Sequence, residues 1–233
     1  MELLVDPNYT PGELLCDEES AHCVKVMRHR VGDTVFVTDG NGTRYECRLV
    51  KADPRGCELD VLKFDVQEPS CCNLWMAVAP TKNIDRFEWF VEKAVEIGVS
   101  RITPILCDHS ERDKVRVDRL EKLVVAAAKQ SLKYYLPHVD ELTRLSDLMK
   151  MELPEQRFIL HCGEAPKPHL FNAAQVAKDT LVLIGPEGDF SEKEISTTLG
   201  SGFMECTLGP ERLRTETAAL VATNVISLRN QVG

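Results

Sequence analysis

The chain has 233 residues and a mass of 26.2 kDa, with 43% hydrophobic residues and a net charge of −9 from 37 acids and 28 bases. That is enough apolar material for one large domain, or a small one beside a medium one, and it excludes a disordered chain. No run approaches the twenty apolar residues of a membrane helix, the opening MELLVDPNYTPGELL lacks a basic leader, and nine cysteines show neither C-x-x-C nor zinc spacing. These features predict a cytoplasmic protein with reduced thiols, no membrane partner and no metal.

The first seventy residues read as short strands. In VGDTVFVTDGNGTRYECRLVKA, Val35 and Val37 alternate with Thr34, Phe36 and Thr38. Asp39-Gly40-Asn41-Gly42 is a hairpin turn, and Tyr45, Cys47 and Leu49 alternate after it. CELDVLKFDV follows a Pro54-Arg55-Gly56 turn as a further strand. A small β-barrel or sandwich is predicted over 1–70, and the second domain over 71–233. From Asn73 the rhythm changes. LWMAVAP is a continuous apolar strand. Asp85 to Ile97 is predicted helical, with Phe87, Phe90, Val91, Ala94 and Val95 on one stripe and Gly98 ending it. RITPIL is a strand. A second helix, marked by Leu120, Leu123, Val124, Ala127 and Ser131, must stop before Pro137. RFILHC, TLVLIG and MECTLG are strands, with helices predicted from Ser191 to Leu199 and from about Thr215. Strands alternating with helices predict an α/β fold, a parallel sheet covered on both faces.

Ligands of open parallel sheets bind beyond the carboxyl ends of the strands. Three strands here end at or near glycine: ILHCGE, VLIGPEG and CTLGP. Glycine permits positive φ and close backbone approach. Pro186 holds Gly185 extended, and Ser191 with Glu194 forms a capping box that starts a helix just after the loop. The loop fits neither phosphate pattern, G-x-x-x-x-G-K-[ST] or G-x-G-x-x-G. Its Glu187 and Asp189 repel phosphate and suit a neutral or cationic ligand with an adenine-like edge. A plain structural turn stands beside that reading. In LGPERLRTETAAL, Arg214 sits at a helix start, where a cation is mildly unfavourable. Either Glu187 or Glu216 pairs with it, or its guanidinium faces a substrate.

Together IGPEGDFS, LGPERLRTETA, VEKAVEIGVSRITPI, HSER and VMRHRVGD resemble, in order and across nearly the whole chain, the family that methylates N3 of a uridine in bacterial 16S ribosomal RNA, a branch of the SPOUT methyltransferases. The resemblance implies an N-terminal PUA-like β-barrel and a C-terminal SPOUT α/β domain with a deep trefoil knot. It implies S-adenosylmethionine bent in that knot and a homodimer that completes each site. Three loops carry over as cofactor-binding: Leu160, His161 and Gly163; Ile184, Gly185, Glu187 and Gly188; and Leu208, Gly209, Leu213, Arg214 and Thr215. Two positions depart from the family pattern. Asp189 stands where the loop usually reads a second Gly, and Lys129-Gln130-Ser131 stands where Glu-Gln-Ser is usual.

Uracil N3–H is weakly acidic, with a pKa of about 9 to 10, close to that of tyrosine. Methyl transfer needs N3 positioned in line and its proton removed. Positive charge near O2 or O4 stabilises the developing anion. Arg214 is the candidate for that role and Glu187 or Glu216 for the proton acceptor, with water as the alternative; Arg214 and Glu187 are the assigned catalytic pair. For 16S ribosomal RNA or the small subunit, Arg28, His29, Arg30 and Arg44 are the barrel's candidates, and Lys82, Arg86 and Arg112 those of the second domain. Binding through them should fall with salt. One basic face suffices for an acidic protein, since binding is done by patches. The rivals are a SPOUT methyltransferase of another base or of transfer RNA, a non-catalytic RNA-binding assembly factor with Asp189 as its lesion, and a generic nucleotide-binding enzyme.

Overall fold

The structure, a computed structural model, describes residues 2–163 and 166–232. The chain forms two compact units, one within 1–69 and 125–136 and the other within 70–124 and 137–233.

In the first unit, four strands lie in the order β1-β2-β3-β4: β1 (Leu3–Val5), β2 (Thr34–Thr38), β3 (Thr43–Lys51) and β4 (Glu58–Val66). β1 runs parallel to β2, and the other pairs are antiparallel. Period-2 alternation sets the inner face, where Val35, Val37, Cys47 and Leu49 are buried with Leu4, Leu15 and Leu59. The hairpin turn is held by Asp39, whose carboxylate accepts from the Asn41 and Thr43 amides at 2.8 and 3.0 Å.

This unit is not made of strands alone. Helix α1 (Asp17–Ala21) runs into one π-helical turn, His22–Val26. The sequence hid it because its buried side chains are Glu19, Ser20 and Cys23, so no apolar period exists to read. The Ser20 hydroxyl donates to the Leu15 carbonyl and accepts from the Cys57 amide, both at 2.9 Å. Glu19 accepts from the Val5 amide and pairs with Lys129. The Lys129 departure thus has a local cause: it neutralises a buried carboxylate.

The second unit holds β5 (Leu74–Val78), β6 (Arg101–Leu106), β7 (His138–Val139), β8 (Thr143–Arg144), β9 (Gln156–Leu160), β10 (Thr180–Ile184) and β11 (Met204–Cys206). Every pairing is parallel, in the order β11-β9-β10-β5-β6-β7, with β8 also on β6. Burial on both faces explains the continuous apolar runs. On one face Trp75, Ala77, Ile105, Leu181 and Leu183 pack with Phe190, Phe203 and with Leu145 and Leu148 of the short helix α4 (Leu145–Leu148). The other face meets helix α7 (Thr215–Gln231), which also packs on helix α2 (Ile84–Ile97).

The α2 stripe is the predicted one: Phe87, Phe90, Val91, Ala94 and Val95 are all buried, and Gly98 ends the helix at φ +110°. Helix α3 (Val117–Ser131) stops before Pro137, α5 is Leu170–Ala173, and α6 (Glu192–Gly200) starts from the predicted Ser191–Glu194 capping box. Among the described residues no helix is long and apolar enough to cross a membrane.

Register determines what lies at the sheet's edge. Ile184 pairs with Leu160, and Cys206 also pairs with Leu160. The three glycine-rich strand ends therefore emerge side by side.

Candidate active site

Beyond those ends lie two adjoining cavities of about 520 and about 640 Å³, sizes typical of small-molecule sites. They share Leu160, His161, Cys162, Arg212, Leu213 and Ala218. The first adds Ile184, Gly185, Glu187, Gly188, Arg214 and Thr215, and the second adds Gly163, Leu208 and Gly209. The sequence-predicted cofactor residues are thus brought together on one edge of one sheet. Lining residues not singled out beforehand include Cys162, Lys167, Cys206, Thr207 and Ala218, all but Lys167 within a quoted motif.

Two glycines of the wall are closely packed against neighbouring side chains. A Cβ on Gly185 would meet the Phe190 ring at 3.0 Å, and one on Gly188 would meet His109 Cβ at 3.0 Å. Left-handed backbone occurs instead at Gly209, φ +127°, and at Asp189, φ +62°. Asp189 thus occupies a conformation that aspartate tolerates better than most residues.

The loops are tied to one another. The buried Thr215 hydroxyl donates to the Gly185 carbonyl at 3.1 Å. One Glu187 oxygen accepts from the Lys82 amide at 2.9 Å. His161 lines both cavities, and its side chain is 5% exposed. Its Nδ1 accepts from the Gly163 amide at 3.2 Å, so Nε2 carries the proton donated to Glu205 at 2.7 Å. Lys167 Nζ donates to the His161 carbonyl at 2.8 Å. Thr207 closes the third loop by accepting from the Gly209 amide at 3.1 Å.

Arg214 is the N-cap of α7, where an unpaired cation is unfavourable. Neither expected partner is there: Glu187 faces Lys82, and the Glu216 carboxylate lies 3.9 Å from Arg86. Among the described residues no carboxylate is within ion-pair distance of Arg214, which is exposed and lines the first cavity.

The RNA candidates are unequal. Arg28 and Arg30 are exposed, and Arg28 takes φ +60°. Asp33 caps that turn by accepting from the Arg30 amide at 2.8 Å and from His29 at 3.3 Å. These contacts, the Arg30 amide first, hold its carboxyl below the usual carboxylate range. Arg44 is engaged otherwise: it pairs with Asp65 and lies over the Phe36 and Tyr134 rings at 5.3 and 5.1 Å. Arg112 donates to the Thr81 and Lys82 carbonyls at 3.1 and 2.7 Å, bracing the loop after β5. Lys82 Nζ pairs with Glu111 at 2.7 Å. Arg86 lines the first cavity and a smaller neighbouring one beside Trp89. Among the described residues no cluster of three or more His, Cys, Asp or Glu could hold a metal.

Comparison with known proteins bears on what such a site handles. The RNA methyltransferase domain family matches residues 67–227, and an RNA methyltransferase PUA domain matches residues 15–62. The ribosomal RNA small subunit methyltransferase E of Aquifex aeolicus is 30% identical, with 83% of this chain and 85% of the relative covered. That of Bacillus subtilis is 25% identical over 92% and 89%. Among solved structures, a probable rRNA methyltransferase from Porphyromonas gingivalis superposes with a TM-score of 0.91 at 35% identity, covering 99% of each chain. The methyltransferase E of Neisseria gonorrhoeae, bound to S-adenosyl methionine, superposes at 0.84 with 25% identity, covering 98% of this chain and 97% of that one.

Proposed function

This chain belongs to the RNA methyltransferase family that includes ribosomal RNA small subunit methyltransferase E, and on that footing we propose that it methylates N3 of a uridine in 16S ribosomal RNA with S-adenosylmethionine as donor. The observation that carries the reading is the set of three glycine-rich strand ends, register-aligned at Leu160, Ile184 and Cys206, with Arg214 unpaired among the described residues at their edge.

The residues present fit that donor. Gly185 and Gly188 line the cavity wall, each with a neighbouring side chain 3.0 Å from where a Cβ would sit, and the Glu187 carboxylate suits a sulfonium cation. When bound, S-adenosylmethionine supplies an electrophilic methyl group. The chain's own work is to orient uracil and take up charge. Arg214 holds negative charge developing on the uracil oxygens as N3 loses its proton. Glu187, with one oxygen fixed by the Lys82 amide, is the proton acceptor. Arg28 and Arg30 contact phosphate, and Arg86 sits where the target nucleotide would meet the cavity.

The same reading assigns 1–70 to a PUA-like RNA-binding barrel and 71–233 to the catalytic domain. It includes a deep trefoil knot through the strand-end loops, a homodimer, and action in the cytoplasm on the small subunit. Small subunits from a strain lacking this protein, incubated with it and methyl-labelled S-adenosylmethionine, should acquire label in N3-methyluridine. Label in another nucleoside, or none, would contradict the proposal.

A further inference from the structure

Asp189 does more than tolerate its backbone. Its two carboxylate oxygens hold different segments: one accepts from the Cys162 amide at 2.8 Å, and the other from the Phe190 amide at 2.8 Å. Left-handed φ also turns the Asp189 carbonyl, beside that of Gly188, toward one partner: His109 Nδ1 lies 3.1 and 3.0 Å from the two oxygens and donates to both. The segment that carries His109 is itself fastened to the same loop. The Asp108 carboxylate accepts from the Ser191 hydroxyl at 2.6 Å, and the Asp108 amide donates to Glu194 at 2.9 Å.

Three segments distant in sequence thus meet at one residue: the end of β9, the loop after β10 and the loop after β6. Cys162 lines both cavities, and Asp189 and Gly188 line the first. Glycine at 189 would supply the same φ without strain. What aspartate adds is a charge-assisted hydrogen bond across 27 positions.

We propose that Asp189 is a positioning residue, a clasp that sets the Cys162–Gly163 backbone at the spacing needed for the cofactor wall. The role in cofactor binding rests on the donor reading above; the clasp itself does not. Asp189→Gly removes the clasp and keeps the backbone. Without any ligand, hydrogen exchange at the Cys162 amide should accelerate about tenfold or more, the cost of one charge-assisted bond. With ligand, the Kd and KM for S-adenosylmethionine should rise about tenfold while kcat at saturation holds. Asp189→Asn keeps a single acceptor oxygen and should lie between the two.

Unchanged exchange at Cys162 in Asp189→Gly would overturn the clasp whatever the cofactor does. Accelerated exchange with unchanged or tighter cofactor binding would overturn its positioning role. Accelerated exchange in a protein whose wild type binds no S-adenosylmethionine would uphold the clasp and sink the donor reading instead.

Discussion

The Thr215 hydroxyl, buried at the first turn of α7, donates to the Gly185 carbonyl oxygen at 3.1 Å, joining two loops 30 positions apart. Valine has nearly the same shape but no donor. Thr215→Val should therefore leave the Gly185 carbonyl without its partner and cost about 1–3 kcal/mol in urea unfolding. Cofactor affinity measured by calorimetry should fall with it, because Gly185 is part of the cavity wall.

Arg214 should behave differently. With no ion pair among the described residues to lose, Arg214→Ala should leave the unfolding midpoint within the scatter of surface substitutions, about ±0.5 kcal/mol. Methyl transfer under single turnover should fall on the order of 100-fold or more. Arg214→Lys should recover little, because a point charge does not replace a planar guanidinium.

Two arginines that look alike in sequence should separate in a salt titration. Arg28 is exposed, and Arg28→Ala should lower the slope of log K against log salt for RNA by about 1. Arg112 spends its donors on the Thr81 and Lys82 carbonyls, and Arg112→Ala should leave that slope unchanged while lowering Tm.

Lys129→Glu should be strongly destabilising. It strips the cation from Glu19, whose side chain is 4% exposed, and places a second carboxylate beside it. Breaking a buried pair from one side costs about 3–5 kcal/mol. The double variant Lys129→Met with Glu19→Gln should recover much of that loss.

Thiol chemistry provides a pH test. Burial pushes the Cys23 and Cys206 thiols up to about 12 from an ordinary value of 9.0. A pKa raised on folding gives a contribution that is complete below about pH 9 and lost as pH rises toward 12, since only the unfolded thiols ionise in that window. Tm should hold from pH 7 to about 9 and decline above it. At pH 8, iodoacetamide should reach exposed Cys71 and Cys162 well before Cys23, Cys107 or Cys206. Bound S-adenosylmethionine should shield Cys162, which lines both cavities.

The parallel sheet was legible because strands buried on both faces must be apolar throughout. LWMAV and TLVLI are five consecutive buried residues each. The helix starts were legible because capping is local: Ser191 and Glu194 are three residues apart. α1 escaped because its inner face is Glu19, Ser20 and Cys23, chosen for hydrogen bonding and not for apolar area. The ties among the loops escaped for another reason. Glu187 meets the Lys82 amide across 105 positions, and Arg112 reaches the carbonyls of residues 81 and 82, and nothing in a linear pattern distinguishes such a carboxylate or cation from one left free.

Methyl transfer to N3 of one uridine is the reaction proposed for this site. Nucleoside mass spectrometry of 16S ribosomal RNA from a deletion strain, complemented with wild type or with Arg214→Ala, tests it most directly. N3-methyluridine should be lost in the deletion, return with wild type, and stay absent or scarce with Arg214→Ala. N3-methyluridine persisting at full level in the deletion strain would contradict it.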